Sequence, residues 1–326
     1  MIESLARELR GCWSDLAPHR APPERVHGLK WSVADYPHPG SALLFFLFAD
    51  RDAHPVAVAK VARTASGDAA LVHEAEQLQR ARQALPDEVR GTLPRLLRAG
   101  ALDGRAYLLT AAAPGEVEQH HTWGARRARR SARRMAAALD WCTRVAGATT
   151  SSTVTGASWL GAAPEGLLDA CTRLGLGSES RRSMEARLPA LLAATWPAGL
   201  AHADFFPGNL VFGPHRTLTV VDWALAEFAA PVFLDSLCYE FSFALHRARP
   251  GLPLDAAEHR AVHALPPFAA LRRHWHTRGL SLELGSDARL ATALHGAWRD
   301  ATSGEERHGA AQAWVRVLEL ELALAP

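Results

Sequence analysis

The sequence predicts an α+β protein in two parts: a small β-rich N-terminal lobe over residues 1–115 and a larger, mainly helical C-terminal lobe over residues 116–326. Three observations predict it. Short apolar runs bounded by turn residues, PVAVAKV at 55–61 and AYLLT at 106–110, crowd into the first third of the chain. The small-residue segment AAAPGE that follows reads as a hinge ending in Pro114 and Gly115. Beyond it, segments of ten residues or more read as helices, from about Ala125 to Val145, Pro164 to Leu174 and Ser180 to Ala194, with further helices to the C-terminus. At 326 residues and 48% hydrophobic composition, the chain can bury one large core or two smaller ones.

In order along the chain, MIESLARELRGCW spaces Ile2, Leu5, Leu9 and Trp13 amphipathically and carries acidic residues, unlike the basic start and unbroken apolar core of an export signal. No apolar run is long enough to span a bilayer, and Cys12, Cys142, Cys171 and Cys238 lie far apart with no CxxC pair. A cytoplasmic protein without disulfides or structural zinc is expected. Only two of the 36 basic residues are lysines, Lys30 and Lys60. Strand alternation in PVAVAKV puts Val56, Val58 and Lys60 on one face, where a compact ammonium suits a phosphate better than a wide guanidinium fork. A lysine snorkelling to the surface is the other reading of that pattern. SGDAALVHEAEQLQRARQALP opens on the cap-capable Ser66 and Asp68, stops at Pro86 and carries Leu71, Ala75, Leu78 and Leu85 as its apolar stripe. Helical angles place Glu74 beside that stripe and turn Glu76 away from it. A carboxylate on a packed face needs a cationic partner, and Lys60 on the preceding strand is the candidate.

Past the hinge, GARRARRSARR gathers Arg126, Arg127, Arg129, Arg130, Arg133 and Arg134 within about half of a helix circumference. A solvated face and a docking face for an anionic membrane surface or an acidic partner both fit this cluster. The net charge of +2 argues against an extended nucleic-acid surface. TTSSTVTGAS, around Ser151, reads as turn-rich. The segment GLAHADFFPGNLVF, 199–212, then places His202, Asp204 and Asn209 in an apolar, tight-turned setting; taken alone, they also read as loop residues bonding their own backbone.

A strand lysine, a helix glutamate, His-x-Asp and an Asn five residues beyond that Asp follow the order of a protein-kinase-like phosphotransferase. On HADFFPGN (202–209), TLTVVDW ending in Asp222 and Trp223, and PVFLDSL carrying Asp235, the chain resembles the aminoglycoside phosphotransferase and choline kinase branch of that superfamily, from about Trp31 to about Tyr239. The resemblance implies a bilobal protein-kinase-like fold with nucleotide between the lobes, and ATP and Mg2+ as cofactors. It implies Asp204 as the catalytic residue that orients the acceptor hydroxyl, and Asn209 and Asp222 as metal ligands. Lys60, Glu74, Val58, Gly40, Ser41 and the backbone of Ala111 and Ala113 would hold the nucleotide, and His202 and Asp235 would brace the catalytic loop.

The chain departs from that branch's HGDxHPGN pattern at Ala203, Phe205 and Phe206. Ala224 stands where many relatives carry an acidic residue, and DYPHPGSALLFF supplies only Gly40 and Ser41 where a glycine-rich loop is expected. From Asp235 to the C-terminus, 11 acidic residues face 10 arginines, so a polycationic acceptor is disfavoured. A sugar-like hydroxyl, a glycan or a macrolide fits the charge balance better, with Trp275, Trp298 and Trp314 available for ring stacking or for packing between helices. The expected activity is ATP-dependent transfer of a γ-phosphate to a hydroxyl of a small molecule or glycan, whether sugar-like, an aminocyclitol, a macrolide or an amino alcohol. The alternatives are a pseudokinase, although none of Lys60, Asp204, Asn209 and Asp222 is missing, and a metal-dependent hydrolase, for which the loop offers too few ligands.

Overall fold

Apolar spacing at the start of the chain makes helix α1 (Ile2–Gly11), followed by the short α2 (Trp13–Leu16). Leu5, Leu9 and Trp13 are buried against a sheet, whereas Ile2 stays partly exposed. That sheet is wholly antiparallel, built from β1 (Val26–Trp31), β2 (Ala42–Ala49), β3 (Ala57–Ala62), β4 (Leu96–Leu102) and β5 (Arg105–Ala111) in the order β1-β2-β3-β5-β4. The computed structural model describes residues 1–31, 42–117, 125–161, 163–214, 217–247, 256–277, 282–302 and 308–324. Alternation divides β3 into two faces: Ala57, Ala59 and Val61 enter the core shared with α1, while Val58 and Lys60 are half-buried on the other side.

Between β3 and β4 run α3 (Ala65–Ala84) and the single turn α4 (Asp87–Arg90). The cap of α3 is Thr64, whose hydroxyl accepts from the Gly67 N–H at 3.2 Å, two residues earlier than the Ser66 of the sequence reading. Leu71, Ala75 and Leu78 face inward, Glu74 is 5% exposed and Glu76 points to solvent. After β5, the chain makes β6 (Glu116–Val117). Gly115 precedes β6 with φ of 141°, and a Cβ there would lie 2.3 Å from the Phe212 carbonyl oxygen, so only glycine permits this approach.

Next come α5 (Ala125–Thr149), β7 (Ser152–Thr155), α6 (Gly156–Leu160), α7 (Pro164–Arg173), α8 (Ser178–Ala193) and β8 (Thr195–Ala201). The stretch around Ser151 is therefore not a turn-rich linker: the consecutive β-branched Thr153, Val154 and Thr155 form an edge strand paired with β8, and Thr155 caps α6 through the Ser158 N–H. A 3-10 turn (Pro207–Asn209) leads into β9 (Leu210–Phe212) and β10 (Leu218–Val220). The chain continues through β11 (Glu227–Pro231), α9 (Leu234–Arg247), α10 (Ala256–His263), α11 (Pro266–Thr277), α12 (Leu282–Thr302) and α13 (His308–Leu324).

The chain divides into two compact units, Met1–Glu118 with Gly208–Ala226, and Gln119–Pro207 with Glu227–Pro326. A single boundary after Gly115 assigns 208–226 to the helical part, whereas the structure returns this segment to the first unit. The reason is pairing: β9 is the middle strand of a second antiparallel sheet, β10-β9-β6, and the Val220 N–H bonds the Thr92 carbonyl at 2.8 Å. In the second unit, β11-β8-β7 form a small antiparallel sheet among the helices. Among the described residues, no helix is long and apolar enough to cross a membrane, and all four cysteines are free and buried.

Candidate active site

The β3 register that exposes Ala59 to the core turns Lys60 the other way. Its Nζ donates to Glu74 Oε1 at 2.6 Å and to Asp222 Oδ1 at 2.9 Å. Glu74 arrives because α3 starts three residues after β3 and buries the stripe next to it; its carboxylate also accepts from the Trp223 backbone N–H. Burial pulls the Lys60 ammonium down, but Asp222 and Glu74 outweigh it and the net shift is upward, so Lys60 stays charged. The other lysine, Lys30, is exposed on β1.

Asp222 is delivered by the β9–β10 hairpin. Leu210 pairs with Val220, and one residue beyond each, the Val221 N–H donates to the Asn209 carbonyl at 2.9 Å, so Asn209 and Asp222 flank the same open end. The backbone then turns sharply: Asp222 has φ of 69°, and the buried Trp223 fixes the turn by donating from Nε1 to the Val220 carbonyl at 2.8 Å. The left-handed conformation costs a non-glycine residue roughly 1–2 kcal/mol. Asn209 is 6% exposed, and the Asp222 side chain 44%. Among the described residues, no three His, Cys, Asp or Glu side chains gather as a metal cage. One carboxylate and one carboxamide suit magnesium, which binds few protein oxygens and completes its shell with phosphates and water.

The second unit holds the loop that follows β8. Asp235, in the first turn of α9, accepts from the His202 N–H and the Ala203 N–H, both at 2.8 Å. Burial pushes its carboxyl up to about 6, against the lowering effect of His202 and these two amides. Ala203 has φ of 61°, a conformation glycine adopts without strain, which accounts physically for glycine at this position in the HGDxHPGN pattern. Its carbonyl accepts from Nη1 of Arg299 on α12. Asp204 is half-buried, and its carbonyl accepts from the Phe206 N–H at 3.0 Å. Phe205 is fully buried, stacked on Trp141 of α5 with ring centroids 4.9 Å apart and packed against Tyr239 of α9, whereas Phe206 is 40% exposed.

The structure thus brings Lys60, Glu74, Asp222 and Asn209 together in one unit, and gathers His202, Asp204 and Asp235 in the other. His202 is buried, its ring edge-on to Phe205. Val58 shares the Lys60 face and accepts from the Thr110 hydroxyl through its carbonyl. At the hinge, the Ala111 N–H is already committed to the Arg95 carbonyl at 2.9 Å, so only the carbonyl of Ala111 is left to pair with a base edge, while Ala113 lies two residues beyond the strand. Gly40 and Ser41 lie outside the described residues, as do the side chains of Arg126, Arg127, Arg129, Arg130 and Trp275; Arg133 is exposed and Arg134 half-buried. Trp314 packs between helices, edge-on to Phe241 and over Gly296.

Sequence reasoning missed Arg299 and a half-buried carboxylate near it. Glu227, which pairs with Ala201 at the start of β11, accepts from Trp159 Nε1 and bonds His295 Nε2, each at 3.0 Å. Burial raises the Glu227 carboxyl, but His295 and Trp159 outweigh it and hold it below its usual range. The available signal was the i, i+4 spacing of His295 and Arg299, which sets two polar residues on one face of a largely apolar helix.

Against known proteins, the profile of the phosphotransferase enzyme family (APH) matches residues 44–233, more than half of the chain and a span that includes Lys60, Glu74, Asp204, Asn209 and Asp222. The chain is 35% identical to a homoserine kinase from Acidiphilium cryptum (strain JF-5) over 114 residues, 31% of this chain and 35% of that protein; the match therefore spans about a third of the relative. In fold, it is similar to a choline kinase from Cryptosporidium parvum Iowa II, with a TM-score of 0.57 and 9% identity over 99% of this chain and 96% of that one. It is also similar to a macrolide 2'-phosphotransferase from Brachybacterium faecium, with a TM-score of 0.50 and 15% identity over 94% and 98%. The ion cluster on β3, the hairpin aspartate and the braced loop after β8 all belong to a span matched by one profile, and the chain is a member of the phosphotransferase enzyme family.

Proposed function

We propose that the protein is an ATP-dependent phosphotransferase that moves the γ-phosphate to a hydroxyl of a small molecule. The observation that carries this reading is Lys60, held charged between Glu74 at 2.6 Å and Asp222 at 2.9 Å. Phosphoryl transfer asks a protein mainly for alignment and charge neutralisation, and this cluster supplies a fixed cation beside a metal-binding carboxylate. Bound ATP supplies the phosphoryl group, and magnesium neutralises its charge. Lys60 steadies the α- and β-phosphates, and Glu74 prevents its ammonium from swinging away. Asn209 and Asp222 offer oxygens to the metal. Asp204 accepts the acceptor hydroxyl's hydrogen bond, orients its oxygen and takes its proton late in the transfer.

An amino alcohol, an aminocyclitol, a sugar-like hydroxyl or a macrolide is the acceptor class. The partial likeness to homoserine kinases favours a small hydroxylated amino acid as the first to try. Incubation with magnesium and γ-labelled ATP across a panel spanning these classes tests the reading. A labelled acceptor is expected; label that goes only to water, or stays on ATP, contradicts it.

A further inference from the structure

We infer that Arg299 is a positioning residue for Asp204, an inference that rests on the activity proposed above. Ala203, the residue before Asp204, is held on both sides, through the peptide that enters it and the peptide that leads to Asp204. The Ala203 N–H donates to Asp235 Oδ1 at 2.8 Å, and the Ala203 carbonyl accepts from Arg299 Nη1. Between these bonds, Ala203 sits at φ of 61°, which an alanine leaves readily unless the surroundings over-determine it. Rotation of the Ala203–Asp204 peptide would carry the Asp204 Cα–Cβ direction with it.

The guanidinium has the shape this task needs. Its Nε donates to Asp300 Oδ1 at 3.1 Å while Nη1 reaches the Ala203 carbonyl, so one planar fork ties the loop to a carboxylate that is itself 3% exposed on α12. The Arg299 cation also lies within electrostatic reach of Asp204, and the Asp300 and Asp204 carboxylates hold it charged in spite of burial. One turn earlier on the same helix, His295 bonds Glu227, which pairs with Ala201 where the loop begins. This face of α12 therefore grips the start of β11 and the loop that follows β8, and Arg299 is the contact that reaches the residue next to Asp204. A loop fastened at Asp235 alone would keep the His202 and Ala203 N–H groups and lose hold of the Ala203–Asp204 peptide.

Arg299→Lys tests the inference because it keeps the charge beside Asp300 and Asp204 but cannot hold Asp300 and the Ala203 carbonyl at once. Three quantities are read on wild type and variant below the melting temperature of each: Mg-ATP turnover with water and with homoserine as acceptors, ATP affinity by calorimetry, and hydrogen exchange of the 202–206 segment. Turnover is expected to fall about 10- to 100-fold, the order that a misplacement near 1 Å costs. ATP affinity should stay within about threefold of wild type and exchange of the segment should quicken, since loss of the clamp frees one peptide and leaves the nucleotide side untouched. In an Ala203→Gly background, where left-handed strain is relieved, the same substitution should cost less. Unchanged turnover in Arg299→Lys overturns the inference, as does turnover that falls in step with ATP affinity, or an equal loss in both backgrounds. A wild-type protein inert toward Mg-ATP in the same assay contradicts the proposed activity instead.

Discussion

Asp235 shows how one residue in this molecule reconciles burial with charge. Enclosed at 4% exposure, it keeps its carboxylate by accepting two backbone amides, yet burial still lifts it from an ordinary 3.8 to about 6. The folded chain therefore binds a proton there between about pH 4 and pH 6 when the unfolded chain does not. The resulting stability is fully present below pH 4 and is lost as pH rises through 6. Asp235→Asn abolishes this contribution, so the wild-type-minus-variant difference in unfolding free energy should shrink by about 3 kcal/mol from pH 4 to pH 7, read by urea denaturation at several pH values. A difference that is flat with pH contradicts it. At Asp204, replacement by Asn keeps the shape and loses the basicity: turnover should fall roughly 10²- to 10⁴-fold while calorimetric ATP affinity is kept. Parallel loss of affinity would make Asp204 a metal or structural residue. The Lys60–Glu74 pair was legible in the sequence because a carboxylate on the packed face of a helix needs a cation, and the hold of Asp235 on the loop backbone followed from the family resemblance. Arg299 was not legible, since its i, i+4 spacing with His295 marks a polar helix face but not what that face meets, and the contact it makes spans 96 residues.

Among the elements, five helices of the second unit are joined by a buried ionic network. Arg289 of α12 donates to Glu321 of α13 at 2.6 and 2.7 Å and to Glu240 of α9 at 2.9 Å; His259 and His263 of α10 and Arg272 of α11 complete it. Burial raises the Glu321 carboxyl, but the bonds from His259 and Arg289 outweigh it and bring it down to about 2. Its contribution is thus present above about pH 4.5 and is lost as pH falls toward 2. Glu321→Gln at pH 7 leaves the Arg289 charge short of a partner and should destabilise the protein by about 3–5 kcal/mol in urea denaturation. A loss under 1 kcal/mol would show that the network is dispensable. Helices α9 to α13 were expected only as helices without bounds, whereas α3, α5, α7 and α8 were legible to within a few residues, the first from its apolar stripe and its stop at Pro86. The edge strand β7 was not, because Ser and Thr mark turns locally and become a strand only when β8 supplies a ladder to pair with.

Over the whole chain, the sequence order β-rich then helical survives, but the first unit also reclaims 208–226 from the middle of the helical region. Hydrophobic patterning shows that LVF and LTV are strands; it does not show that β9 will pair with β6, nearly a hundred residues earlier. That return is what sets Asp222 beside Lys60, a pair separated by 162 positions in sequence. Under the proposed function, this long-range pairing puts the Asp222 oxygens where magnesium and a nucleotide would bind beside Lys60. Phosphorus NMR of ATP with magnesium and the acceptor panel, run on wild type and on Asp222→Ala, tests it most directly. A new phosphomonoester signal and ADP are expected with wild type, and neither with Asp222→Ala, because the neighbouring carboxylate, Glu74, is already committed to Lys60 and the Trp223 N–H. A wild type that forms no phosphomonoester, or an Asp222→Ala protein with full turnover, would contradict it.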